Sequence, residues 1–334
     1  MLKVLITGAS GFIGSFLVEE GLKRKYNVFA AIRKSSSRRY LQQPGIRLVE
    51  MDFSSTATMV TTLSELKNEG IHFDFIIHNA GITKTQDKNE FSRVNFQNTR
   101  NFVESLIQAD MVPGKFIFMS SLAAFGPGNP QTMLPVMLTD EAKPIETYGR
   151  SKLEAEKFLT SVPDFPYLIF RPTGVYGPRE KDYFVFFKTI KSGLEPYIGS
   201  RKQILTFIYV KDLARLIFDA GESTVSQKAY FVSDGKEYTA EEFSIITKKH
   251  LQKKTLSFIV PAGIVKILAY SMEHIYGLWG AIPTLNTDKY NVLASTNWRC
   301  ETSPLQSDFN FQAAYDLDKG VKEALEWYHH EGWL

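Results

Sequence analysis

Apolar residues fall in runs of about five, separated by stretches of helical period, through the first half of the chain. Residues 2–6, 28–32, 47–51, 73–78 and 115–119 predict short buried strands. Between them, Phe12, Ile13, Phe16 and Leu17 share a face, with Glu19 and Glu20 one turn on, and residues 55–69 and 91–109 also read as helices. Strands alternating with helices predict an α/β domain whose parallel sheet is covered on both faces. Ligands of such sheets bind beyond the carboxyl ends of the strands.

The second half is less regular. Residues 121–147 form a long irregular stretch with four prolines, a length of loop that is usually functional. A helix follows at 148–159 and a strand at 167–170. Strand patterns return at 207–210 and 229–232. Thr239-Ala240-Glu241-Glu242 has the form of a capping box and should start a helix, and residues 316–330 repeat apolar positions on one helical face. We expect a dinucleotide-binding domain over 1–170, with sheet contributions from about 203–235, and a mainly substrate-binding lobe over 171–334. The apolar stretch 258–279 holds Pro261, Lys266, Glu273 and His274, too many interruptions for a membrane span. It reads as a buried or lobe-capping helix, the alternative being a helix on a membrane surface.

Charge and cysteine content narrow the picture only slightly. Thirty-nine basic against 36 acidic side chains leave +3, too little to argue for nucleic acid. The single cysteine, Cys300, excludes an intramolecular disulfide framework and suits a reducing, cytoplasmic setting. No spacing for a metal site is evident.

The first strand runs into Thr7-Gly8-Ala9-Ser10-Gly11-Phe12-Ile13-Gly14. Strand, glycine turn and helix in that order form the context of a dinucleotide phosphate site. Gly8 permits the turn, Gly11 leaves the backbone open to a pyrophosphate, and Gly14 lets helix and strand pack closely. The helix N-terminus favours the anion. The second strand ends in Arg33, with Lys34, three serines, Arg38 and Arg39 behind it and no acid before Glu50. An Asp or Glu there would hold a ribose 2′-hydroxyl, whereas a guanidinium suits a 2′-phosphate. NADP is therefore expected ahead of NAD.

Tyr148-Gly149-Arg150-Ser151-Lys152 places a phenol and an ammonium on one helix face. A nearby cation favours the phenolate, so the pair can move a proton on and off a carbinol oxygen. Ser120 and Ser121 end the strand before it. No Gly-x-Ser-x-Gly elbow surrounds them, which argues against a hydrolase nucleophile.

The ordered set of glycine turn, His78-Asn79-Ala80-Gly81, Ser-Ser, Tyr-x-x-x-Lys and Arg171-Pro172-Thr173-Gly174-Val175-Tyr176-Gly177-Pro178 resembles the extended short-chain dehydrogenase/reductase family, the NAD(P)-dependent epimerase/dehydratase group. The resemblance implies a Rossmann-like doubly wound sheet with a smaller interleaved C-terminal lobe. It implies catalytic roles for Ser121, Tyr148 and Lys152. Gly8, Ser10, Gly11, Phe12, Ile13, Gly14 and Arg33 would meet the cofactor's phosphates and adenosine end, and Asp52 and Phe53 its adenine. Asn79, Ala80 and Gly81 would lie under it, with Asn95 beside them or bracing their helix. Tyr148 and Lys152 would also touch it, and Pro172, Thr173 and Val175 would line its nicotinamide end. Members commonly pair as homodimers through the helices at 91–109 and 148–159.

Two departures bear on substrate. Phe125 stands where many sugar-nucleotide epimerases have a Tyr. The tail, with residues 286–293, Asn297-Trp298-Arg299-Cys300, residues 315–320 and Trp327-Tyr328, resembles the hydroxysteroid dehydrogenase and dihydroflavonol reductase branch. The expected function is hydride transfer between a nicotinamide and a small-molecule secondary alcohol or ketone. The alternative is a nucleotide-sugar epimerase or dehydratase.

Overall fold

The computed structural model describes residues 1–279, 281 and 283–334. Seven parallel strands form the central sheet: β1 (Lys3–Thr7), β2 (Asn27–Ile32), β3 (Ile46–Glu50), β4 (Phe75–His78), β5 (Lys115–Met119), β6 (Tyr167–Pro172) and, after shorter strands, β11 (Lys228–Val232). Their spatial order is β11-β6-β5-β4-β1-β2-β3. The order reverses between β1 and β4, the place where an open α/β sheet leaves a crevice.

Most strand residues are buried because helices cover both faces, and the edge strand β3 buries only Val49. One face carries α1 (Phe12–Lys23) and α7 (Val210–Glu222), packed on Val4, Ile6, Phe75 and Phe170. The other carries α2 (Thr56–Asn68), α4 (Asn98–Gln108) and α5 (Thr147–Ser161), packed on Leu5, Ile76, Phe116 and Ile169. The helix expected over 91–109 is made of three pieces. A short α3 (Asn89–Phe91) leads into a π-helical segment, Ser92–Gln97, and then α4. Such wide turns often mark functional sites.

The lobe contains α6 (Asp182–Lys191), α8 (Ala240–Leu251), α9 (Ala262–Leu278), α10 (Thr287–Ala294), α11 (Ser303–Phe309) and α12 (Leu317–His330). Three small two-stranded sheets join it: β7 (Gly174–Tyr176) with β10 (Phe207–Tyr209), β9 (Ile204–Leu205) with β12 (Tyr238–Thr239), and β8 (Leu194–Ile198) with β13 (Leu256–Val260). Its core is aromatic, built on Tyr176, Phe187, Phe207, Phe243 and Tyr328. The capping box at α8 is complete: Glu242 N–H donates to Thr239 Oγ1 at 3.0 Å, and Thr239 N–H to Glu242 Oε2 at 2.6 Å.

The stretch 258–279 corrects the sequence reading. It is a strand followed by a helix, and among the described side chains of α9 only Val265 and Ala269 are buried. Ile264, Ile267, Leu268 and Ile275 point to solvent. No described helix is long and apolar enough to cross a membrane.

Candidate active site

The glycine turn joins β1 to α1 beside the crevice. Gly8 has φ +65°, and a Cβ there would lie 2.7 Å from the Asn79 carbonyl oxygen. A Cβ on Gly14 would lie 2.1 Å from the Gly8 oxygen, so α1 could not pack this close to β1. Gly11 caps α1 and offers no side chain to its first amides. The first turn of a helix has no internal partners for its N–H groups, so Phe12 and Ile13 lie in a turn suited to an anion, with Ser10 half-buried just before it. Arg33 is exposed in a tight turn at the end of β2, its N–H donating to Ser36 Oγ at 3.0 Å. Asp52 lies exposed beyond β3 and accepts from the Ser54 N–H and hydroxyl, which hold its carboxyl below the usual range. Phe53 is buried beside His78 and Phe102.

Beneath the crevice runs a chain of polar groups. Thr99 Oγ1 donates to the Asn95 carbonyl at 2.8 Å and lies 3.0 Å from His78 Nε2, so it accepts from Nε2–H. His78 Nδ1 then accepts from the Thr7 hydroxyl at 2.9 Å, and Thr7 Oγ1 accepts from Ala80 N–H at 3.0 Å. Burial, with Lys152 nearby, pushes His78 down to about 3 and keeps the ring neutral. Asn95 is fully enclosed. Its amide grips Ile82, one residue past Gly81, and donates to Ser151 Oγ at 3.0 Å. Its side chain therefore braces the floor of the site and is not at the crevice surface.

The two serines separate. Ser120 is buried and its hydroxyl donates to Glu156. Ser121 is half-exposed and caps a 3₁₀ turn by accepting from Ala123 N–H at 3.2 Å. It also acts on the Tyr148 phenol, favouring its ionised form. Tyr148 opens α5, edge-on to Phe91 at 6.2 Å between ring centres. Burial and then Glu146 push its pKa up strongly, so the phenol is protonated at neutral pH. Lys152 is buried over the Phe118 ring, and burial lowers it to about 8. Its ammonium donates to the Met119 carbonyl at 2.8 Å. An enclosed ammonium needs an acceptor. Here that acceptor is the end of β5.

Glu156, and its pairing with Arg171 of the quoted motif, have no counterpart in the sequence analysis. The two side chains form a buried pair, with Arg171 Nη2 donating to Glu156 Oε2 at 2.7 Å and Nε to both oxygens at 3.0 and 3.1 Å. Phe125 packs under the Arg171 guanidinium at 4.3 Å and against Phe231. Phe125 is thus buried within this cluster. The tail motif fastens the long loop: Asn297 Nδ2 donates to the Leu134 carbonyl at 2.8 Å, and Gly128 N–H to the Asn297 carbonyl at 2.9 Å. Burial pushes the Cys300 thiol up to about 12, so it is not a ready nucleophile.

Pro172 is buried at the end of β6, and Thr173 and Val175 follow half-buried. Thr173 N–H donates to the Val232 carbonyl at 2.9 Å, while its enclosed hydroxyl has no partner among the described residues. A buried hydroxyl left over at a strand end and a glycine cradle at the opposite side of the crevice fit a long polar ligand such as a dinucleotide. Among the described residues no group of His, Cys, Asp and Glu could hold a metal ion.

The chain is similar over most of its length to known proteins. It is 27% identical over 277 residues to UDP-glucose 4-epimerase of Vibrio cholerae, covering 79% of this chain and 80% of that one. It is 26% identical to 3-beta-hydroxysteroid dehydrogenase of Mycolicibacterium neoaurum, covering 72% and 68%. Among solved structures, dTDP-glucose 4,6-dehydratase of Bacillus anthracis in complex with NAD superposes with a TM-score of 0.78 at 16% identity, covering 100% of this chain and 98% of that one. The family model described as NAD dependent epimerase/dehydratase matches residues 4–232, and the chain, an enzyme of the extended short-chain type, belongs to that family.

Proposed function

We propose that the chain is an NAD(P)-dependent oxidoreductase that interconverts a secondary alcohol and its ketone. The observation that carries this is the meeting of Ser121, at the end of β5, with the protonated phenol of Tyr148, one turn before Lys152. When bound, the nicotinamide supplies the hydride donor or acceptor. Ser121 Oγ orients the substrate oxygen. In the reductive direction Tyr148 Oη gives its proton to the carbonyl oxygen as the carbon gains hydride, and the phenolate regains a proton from solvent. In the oxidative direction each transfer reverses. Lys152 holds the cofactor's ribose and steadies the phenolate once it forms.

NADP is the proposed partner ahead of NAD, supported by Arg33 and by the lack of any acid from Arg33 to Val49. The small molecule is proposed to be apolar, which the tail's likeness to the hydroxysteroid dehydrogenase branch supports. A homodimer is proposed through the surface of the π-helical segment, α4 and α5, where Phe96 and Phe158 are only partly covered and Ile107 is exposed. The likeness to UDP-glucose 4-epimerase favours the second reading, a nucleotide-sugar epimerase.

A panel of secondary alcohols, ketones and UDP-sugars, followed by cofactor absorbance and by product analysis, separates the two. Net cofactor turnover with an alcohol or ketone supports the first reading. Sugar inversion with no net change in absorbance overturns it in favour of the second. Tyr148→Phe should lower turnover by about two to four orders of magnitude while cofactor still binds. Near-normal turnover would remove Tyr148 from the mechanism.

A further inference from the structure

Ten of the nineteen large apolar side chains that are exposed among the described residues lie between Leu256 and Trp279. They fall on two neighbouring elements. In the parallel ribbon of β8 and β13, Leu194 sits beside Leu256 and Pro196 beside Phe258. Glu195 and Tyr197 alternate inward, so the outer face of the ribbon is left apolar. Leu256 is 69% exposed. Pro261 then starts α9. Its inner side buries Val265 and Ala269, and the inward Glu273 pairs with Lys88 at 2.8 Å and accepts from Thr287. The opposite side shows Ile264, Ile267, Leu268 and Ile275 at helical spacing, with Tyr270 beside them and Trp279 at the end. A surface helix ordinarily turns its polar side outward. This one is apolar on both sides, and exposed apolar area of this extent marks an interaction surface.

Charge selects the occupant. Lys253 and Lys254 enter β13, Lys191 lies just before β8 at the same end of the ribbon, and Lys266 lies on α9, all four exposed. The one acid from Lys253 to Trp279 is Glu273, which is turned inward to Lys88. A two-fold contact with a second copy would set this cationic fringe against itself with no exposed acid in the segment to receive it. An anionic bilayer surface answers both features. Apolar side chains enter the boundary between headgroups and acyl chains, lysines meet the lipid phosphates, and a terminal Trp suits the interface.

We propose that the outer faces of α9 and of the β8–β13 ribbon dock on an anionic phospholipid bilayer surface without crossing it. The attachment has a consequence for the crevice. Through Glu273, α9 is tied to Lys88, three residues from the Phe91 that touches Tyr148. It is also tied to Thr287, next to the Asp288 that accepts from the Thr147 N–H at 3.3 Å. Docking would therefore bring the Tyr148 end of the crevice toward lipid. The proposal stands apart from the reaction proposed above, since its readout is binding.

The test is flotation of the full chain with phosphatidylcholine vesicles, with and without phosphatidylglycerol, alongside light scattering without lipid. Binding is expected to the anionic vesicles, to weaken with salt, and to shift tryptophan emission to the blue. Lys253→Ala/Lys254→Ala should lower the partition coefficient about thirtyfold, at roughly 1 kcal/mol per lysine. Ile267→Glu/Leu268→Glu should abolish binding without lowering the melting temperature, because both side chains already face solvent. Absence of binding to anionic vesicles overturns the proposal, and so does binding that ignores lipid charge. A lipid-independent dimer that Ile267→Glu/Leu268→Glu dissociates also overturns it and assigns the face to a second copy.

Discussion

The carboxamide of Asn95 holds both backbone groups of Ile82. Its Oδ1 accepts from the Ile82 N–H at 2.8 Å and its Nδ2 donates to the Ile82 carbonyl at 3.0 Å. The same Nδ2 donates to Ser151 Oγ, whose hydroxyl donates to the Tyr148 carbonyl at 2.7 Å. One buried side chain thus joins the turn after β4 to the first turn of α5. The π-helical segment is the device that aims it.

Asn95→Ala should therefore loosen two walls of the crevice at once. Leaving the part-buried Ile82 groups unpaired costs at most about 1–3 kcal/mol each, so the melting temperature should fall by several degrees. Cofactor affinity should fall with it, although Asn95 need not touch the cofactor. Calorimetry on Asn95→Ala and Asn95→Asp checks this. The Asp variant keeps the acceptor for Ile82 N–H and should recover part of the loss. Unchanged stability in both variants would show that the clamp is idle.

The second prediction concerns Glu146, the residue before α5. Burial and then the neighbouring Asp288 raise its carboxyl to about 7, against the opposing pull of Lys289 and Arg150. Its charge is one of the causes that raise the Tyr148 phenol, whereas Ser121 lowers it. Alcohol oxidation needs the phenolate, so its rate rises with pH through the phenol's pKa. Glu146→Gln removes the anion and should move that limb to lower pH. Ser121→Ala should move it to higher pH, besides lowering the plateau. The pH dependence of kcat/KM for the two variants is the measurement, and shifts of the same sign would contradict the assignment.

Local features were legible in the sequence, and distant pairings were not. β1, the glycine turn and α1 follow from an apolar run, three glycines and one helical face within about twenty residues. Tyr148 and Lys152 share a face because four residues nearly complete a turn. By contrast, Glu156 meets Arg171 only because α5 packs beside β6, and Ser120 differs from Ser121 only through that buried carboxylate. Nothing local announces either. The π-helical segment over Ser92–Gln97 was invisible because its composition is that of an ordinary helix. In the stretch 258–279 the helix was legible but the exposure of its outer side was not, because an apolar helix reads as buried whether that side meets protein or another phase.

The third prediction concerns cofactor choice. Arg33 is exposed where β2 ends, and the turn it starts is closed by Ser36 N–H donating to the Arg33 carbonyl at 2.9 Å. A guanidinium gripping a 2′-phosphate makes charge-assisted bonds worth about 1.5–3 kcal/mol. Arg33→Ala should weaken NADP about tenfold to a hundredfold and leave NAD within a few-fold. Titration with each cofactor, side by side, decides. Equal losses would mean that Arg33 stacks on the adenine, and a wild-type preference for NAD would exclude the phosphate reading.

The last prediction follows from the hydrogen-bond chain through His78. Thr99 spends its one proton on the Asn95 carbonyl, so it must accept from His78 Nε2–H. Thr7 then donates to Nδ1, and every donor in the chain has an acceptor. A second ring proton would face the Thr7 hydroxyl, strip it of its acceptor, and place a cation near the buried ammonium of Lys152. Burial, and after it the Lys152 ammonium, push the folded ring down to about 3 against 6.5 for a free one. Because the folded value is depressed, the unfolded chain binds the proton first. The neutral ring's contribution is complete above the unfolded value and is lost as pH falls toward the folded one. The slope should approach about 1.4 kcal/mol per pH unit over roughly pH 6 to 4. Carboxylates also drive acid unfolding, so the informative quantity is a difference between variants. His78→Gln keeps a donor and an acceptor at this position and cannot be protonated. Urea unfolding across that range should give a shallower pH dependence for His78→Gln than for the parent chain. Parallel curves would mean that His78 is not held neutral by the fold.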